Sequence, residues 1–186
     1  MENSKNLFNE LEEFTKTLGA DNAQVISASE IVLDRIFRDI CASNSCGMYG
    51  KCWMCPPDVG DIDTLMSDIQ KYDYALVYQK ISALEDSFDF EGMVEAKYVF
   101  YELTKSLKST VDASKFSKIL HIGAGGCGVC KVCSKKDGKP CRFPDLAIPS
   151  LEAYGVNVSK LAASAGMKYI NGQNTVTYFG AVLFSL

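Results

Sequence analysis

The chain has 186 residues, 47% of them apolar and 23% charged, with a formal net charge of −4. That balance suits one globular domain whose core is large enough to fold without covalent staples. The net acidity excludes the broad basic surface that nucleic-acid binding demands, and it leaves eight cysteines to be explained.

Met1-Glu2-Asn3-Ser4-Lys5 leads into no apolar run of signal-peptide length. No stretch approaches the roughly 20 apolar residues of a membrane span. The expected location is the cytoplasm, where thiols stay reduced and structural disulfides are rare. Cysteines in such numbers there read first as metal ligands.

Taken in chain order, Leu7, Leu11, Phe14 and Leu18 recur at helical spacing and predict a helix over 5–18, stopped by Gly19. Residues 24–33 are rich in β-branched side chains and predict a strand. A loop with four cysteines runs from Cys41 to Cys55. Pro56-Pro57 disfavours helix there, and Asp61 or Asp63 then caps a short helix through Leu65 and Ile69. Tyr74 to Ile81 reads as a buried strand. Residues 89–108 give the clearest helix, with Met93, Phe100, Leu103 and Leu107 on one side. The strand Lys118 to Ile122 runs into a second cysteine loop, Cys127 to Cys141. A helix near 157–165 comes next, capped by Asn157 and stopped by Gly166, before a last strand from Thr175 to Phe184.

Strand, cysteine loop, helix and strand therefore occur twice. The order predicts an α/β or α+β fold in a single domain, 1–186: a central sheet of about four strands, flanking helices, and metal loops at 41–57 and 123–149 on strand ends. Parallel strands would bring both loops to one end of the sheet.

The sharpest signal is Cys127-x2-Cys130-x2-Cys133, followed by Cys141. Three thiolates at two-residue intervals let one loop curl around a compact iron–sulfur cluster, and the fourth closes from further along. Gly123, Gly125, Gly126 and Gly128 let backbone approach the cluster and point N–H groups at sulfur. Zinc prefers two separated C-x2-C pairs, so the third cysteine is unusual for it. Gly123-Ala124-Gly125-Gly126-Cys127-Gly128 also matches the dinucleotide-binding G-x-G-x-x-G. The next residues, Val129-Cys130-Lys131-Val132-Cys133-Ser134, lack the apolar periodicity of the helix that such a site requires.

The first group, Cys41, Cys46, Cys52 and Cys55-Pro56, is less regular. Cys-Pro at its end is a ferredoxin habit; Tyr49 and Trp53 would shield the site from water. Zinc is more credible here, and Cys41, farthest from the others, is the cysteine most readily spared as a small buried hydrophobe.

The run Ser45-Cys46-Gly47-Met48-Tyr49-Gly50-Lys51-Cys52-Trp53-Met54-Cys55-Pro56-Pro57 resembles the first signature of a family of predicted metal-binding proteins, DUF2284. Cys127-Gly128-Val129-Cys130 with Cys133, Cys141-Arg142-x-Pro144 and Pro149-Ser150-Leu151-Glu152-Ala153-Tyr154-Gly155-Val156-Asn157-Val158 is similar to its second. The resemblance spans nearly the whole chain and implies a cysteine-ligated metal, most plausibly iron–sulfur; it brings no settled activity.

Outside the cysteines, Arg142 and Glu152 read as a surface pair, Tyr154 as an aromatic cover for a cluster, and His121 as a hydrogen-bonded core residue. The expected function is an iron–sulfur protein with one or two [4Fe-4S] clusters, passing single electrons to a redox protein partner or serving a larger redox enzyme. A zinc-stapled interaction module and an enzyme whose cluster has an open iron are the alternatives.

Overall fold

A computed structural model describes residues 2–186. Helix α1 (Glu2–Thr17) turns Phe8 and Leu11 toward the core, and Leu18, just past its end, packs against the same core. This stripe is offset from the predicted one: the Phe8 ring lies 4.7 Å from that of Tyr74, while Phe14 is 37% exposed. Strand β1 (Asn22–Ser27) ends well before the predicted 33. The cause is local. The Ser27 side chain caps a 3₁₀ turn at 28–30, and Glu30 reaches back to the Ser27 N–H, a reciprocal box that bends the chain out of the strand.

Helix α2 (Ile36–Ala42) falls where the sequence predicts no element. It buries none of its residues completely, so it carries no apolar stripe to read. Helix α3 (Ile62–Ile69) starts at Asp61, whose carboxylate accepts the Thr64 N–H, and it buries Ile62, Leu65 and Ile69. Strand β2 (Tyr74–Ala83), helix α4 (Phe90–Thr110) and strand β3 (Lys118–Ile122) lie close to the predicted bounds. Helix α5 (Val158–Ser164) is capped by Asn157 and leads to strand β4 (Thr175–Ser185).

The four strands form one open sheet in the order β1-β2-β4-β3, every neighbouring pair antiparallel. The chain is thus a mixed α/β fold. Alternation along the central strands serves two cores. Ala75, Val77, Phe179, Ala181 and Leu183 face α3 and α5, whereas Leu76, Tyr78, Val182 and Phe184 face α1 and α4.

The parallel arrangement that would have gathered the cysteine loops at one end is absent. Ser27 pairs with Tyr74 and Tyr74 with Phe184, while Lys118 pairs with Ser185. The end of β1 therefore lies level with the start of β3, on the opposite edge of the sheet. Two loops leaving these strands directly would diverge.

Candidate metal centre

The two loops meet because residues 31–42 carry the first one across. Leu33 forms an isolated bridge with Val156. The Asp34 N–H donates to Gly155 O at 2.7 Å, and the Asn157 N–H donates to Val32 O at 2.9 Å. Arg38, on α2, donates through Nη1 to Gly60 O at 2.9 Å and through Nη2 to Ala153 O at 2.8 Å. The first cysteine loop is therefore anchored to the segment after the second, rather than to its own strand.

The loops also grip each other. Trp53 Nε1 donates to Lys139 O at 2.9 Å, and Lys135 Nζ lies 4.3 Å from the centre of the Trp53 ring while pairing with Asp58. Such a cation over an indole face adds to the hydrogen bond.

Inside this interlock the eight sulfurs divide in an unexpected way. Cys52 lines a narrow cavity together with Cys127, Cys130, Cys133 and Cys141, alongside Trp53 and Phe143. Cys41, Cys46 and Cys55 line a separate cavity of about 230 Å³, with Phe37, Ile40, Tyr49, Ser150 and Glu152 around it. Cys52 and Cys55 are buried, Cys46 is exposed and the rest are half-buried. Cys41 lies near the end of α2 and takes part in the lining.

Cys52 sits where the two sets touch. A hydrogen bond from the Cys55 thiol lowers its pKa to about 6, helped by the N–H groups of Met54 and Cys127 and by the Cys133 thiol, against the cost of burial. The same shared hydrogen bond, together with burial, pushes Cys55 up. Burial raises Cys127 as well, opposed by hydrogen bonds from the Val129 and Ile148 backbone. Cys41 is raised by burial and then by the charge of Glu152. Buried sulfur with backbone N–H donors is the environment that soft-metal and cluster sites need. Among the described residues, no three His, Cys, Asp or Glu side chains converge closely enough to hold a single ion.

Helix α4 supplies a residue that the sequence pattern does not single out. Tyr101 donates its hydroxyl to Gly126 O at 2.5 Å, and Lys97 Nζ lies 5.4 Å from its ring centre. The second loop presses so tightly on this ring that a Cβ at Gly128 would sit 2.1 Å from Tyr101 Cδ2. A Cβ at Gly126 would lie 3.3 Å from Met48 and 3.5 Å from Cys55 Sγ. At 128 only glycine fits the space that loop and helix share, whereas at 126 a side chain would press on the other loop and Met48 would have to shift. The available signal is position: Tyr101 is adjacent to Phe100 on the helix's apolar stripe, and a tyrosine there brings a polar tip to the core's edge.

Several other residues depart from expectation. No helix begins in the glycine run 123–128, so the dinucleotide match has no structural context. His121 is buried as expected, but among the described residues its Nδ1 has no hydrogen-bond partner, and burial and then Lys108 lower its pKa to about 4. Tyr154 packs into the core beneath α3 and α5 and is not among the residues that line either cysteine cavity. Arg142 donates to Val132 O, and Glu152 lies in the other cavity, so the expected pair does not form.

Residues 24–184 match the family model described as a predicted metal-binding protein, DUF2284. No curated protein and no solved structure matches the chain. Among the described residues no helix is long and apolar enough to cross a membrane.

Proposed function

Because the chain belongs to the DUF2284 family of predicted metal-binding proteins, we propose that it is a cytoplasmic iron–sulfur protein. Its eight cysteines would hold one or two [4Fe-4S] clusters that pass single electrons to a protein partner. The observation that supports this most is convergence. Two cysteine groups far apart in sequence start from opposite edges of the sheet, yet they end as one array with Cys52 between its parts.

The donor set suits the group. Thiolates are soft donors. The N–H groups of Met54, Cys127, Val129 and Ile148 aimed at sulfur stabilise negative charge there, which is how a protein sets the potential of such a centre. A bound cluster supplies one-electron storage. The chain's own part is to hold sulfur, to keep water out with Trp53 and Tyr49, and to bring the two sites close.

The test is purification without oxygen. A brown protein whose visible absorption bleaches on reduction, with iron and labile sulfide in equal amounts, is the expected result. Colourless protein with stoichiometric zinc, prepared with iron supplied, would overturn the reading. A second reading, an enzyme that binds substrate at an open iron, is favoured by the cavity of about 230 Å³ beside Cys41, Cys46 and Cys55. A substrate-dependent change in the electron paramagnetic resonance spectrum would distinguish it from pure electron transfer.

A further inference from the structure

We infer that Glu152 is the fourth protein donor of the first metal site, completing a set of three thiolates, Cys41, Cys46 and Cys55, with one carboxylate. The assignment rests on the iron–sulfur reading for the kind of metal, and on the cavity for the donors. Cys52, the sequence's natural fourth member, lies with Cys127, Cys130, Cys133 and Cys141 around the other cavity. The first cavity is left with three sulfurs, and Glu152 is the one carboxylate among the residues that line it.

Glu152 is held there by the fold. It opens the 3₁₀ turn 152–154, Ala153 N–H donates to Ser150 Oγ at 3.1 Å, and Arg38 clamps Ala153 O. Among the charges around Cys41, that of Glu152 weighs most. Arg142, which would have claimed it as a surface partner, is occupied at Val132 O. The cavity's other walls are mostly apolar, Phe37, Ile40 and Pro56 among them. The Ser150 hydroxyl and the Glu152 N–H donate to this carboxylate, and a cation in the cavity would offset the rest of its lost hydration.

A carboxylate is a harder donor than a thiolate, so the iron it holds is the labile one of its cluster. Glu152→Gln keeps the shape and removes the charge. In anaerobically reconstituted protein it should lower iron from about eight to about seven per chain and, once ferricyanide has taken one electron from the three-iron cluster left behind, give the paramagnetic signal of its oxidised form. Glu152→Cys restores a fourth anionic donor, so it should keep the full iron content and lose iron to a chelator more slowly than wild type. Unchanged iron and spectra in Glu152→Gln would overturn the assignment. Equal iron loss in both variants, with far-ultraviolet circular dichroism unaltered, would also overturn it, since a purely structural role is no better served by Cys than by Gln. Zinc in the wild type would sink the iron–sulfur reading alone. The donor set would then stand if Glu152→Gln weakened zinc binding at least tenfold, and fall if it did not.

Discussion

The two halves of the chain repeat one order of elements. Helix α1, strand β1, a cysteine loop, α3 and β2 are followed by helix α4, strand β3, a cysteine loop, α5 and β4. The correspondence extends to space: α1 and α4 cover one face of the sheet, α3 and α5 the other, with β2 and β4 paired at the centre. The halves differ most at one point. In the second, the loop comes directly after β3, tied by Gly123 N–H to Pro149 O at 2.8 Å. In the first, residues 28–40 intervene, and they include a helix with no counterpart. An antiparallel pairing of two equal halves points their loops apart, so a shared centre requires one half to break the pattern. The added segment is that break.

The largest effect should come from testing whether each half keeps its own metal. Cys130→Ser removes the middle thiolate of the tight run and should lower iron from about eight to about four per chain, because a hydroxyl is a poor substitute and the second cluster is lost. His121→Asn, in the same half, should leave the metal content unchanged. Loss of all iron in Cys130→Ser, with the fold intact, would mean that the halves share a single centre. With both clusters present and reduced, magnetic coupling is expected, since Cys52 touches both sets of sulfurs.

The next effect tests the bridging segment. Arg38→Ala strips the donors from Gly60 O and Ala153 O and should cost about 3 kcal/mol in urea unfolding. It should also speed loss of metal from the first site more than from the second. Arg38→Lys should recover less than half of the stability, because an ammonium cannot reach both carbonyls with a planar fork. An Arg38→Ala protein as stable as wild type would show that α2 merely rests on the second half.

Arg38 also marks the limit of what the sequence makes legible. Most bounds are readable because they depend on neighbours in the chain: Asp61 and Asn157 at helix starts, Gly166 beyond a helix end, β-branched runs in β2 and β4. The cysteine inventory is readable for the same reason. The antiparallel order of strands depends on pairing across the chain, as does the regrouping of Cys52, and no local pattern encodes either. Glu152 looks like a surface residue in the sequence because its surroundings come from α2, residues 45–56 and the glycine run. Helix α2 is invisible there since its exposed Ile36 and Ile40 give it no buried stripe.

A smaller difference between halves concerns acid. His121, on β3, is the chain's only histidine, and burial beside Lys108 holds its pKa at about 4, below the usual 6.5. The folded state thus keeps it neutral while the unfolded state takes up a proton between those values. Its contribution is complete above pH 6.5 and is lost as the pH falls toward 4, amounting to about 2 kcal/mol between pH 7 and pH 5. His121→Asn should flatten that part of the stability profile. A variant with the wild-type slope over this range would place the acid sensitivity elsewhere.

The smallest effect compares the caps of the two equivalent helices beyond the loops. Asn157 Oδ1 accepts the Lys160 N–H at 3.1 Å, and Asp61 Oδ1 accepts the Thr64 N–H at 3.1 Å. The two bonds are alike in geometry and differ in charge. Removing the amide in Asn157→Ala should cost about 1 kcal/mol, equally at every pH, because nothing in that cap titrates. The Asp61 carboxylate is different. The Thr64 N–H and hydroxyl hold its pKa below the usual 3.8, so its contribution is present above that value and fades as the pH falls through the lower, folded one. The carboxylate also meets the positive end of the α3 dipole, a benefit that the neutral amide does not have. Asp61→Ala should therefore cost more than Asn157→Ala at pH 7, and the gap between the two variants should close as the pH is brought below 4. Unfolding midpoints in urea, each read against wild type at the same pH, measure that gap. If it stays constant with pH, the Asp61 cap acts through its shape alone, and the two halves are equivalent at this turn after all.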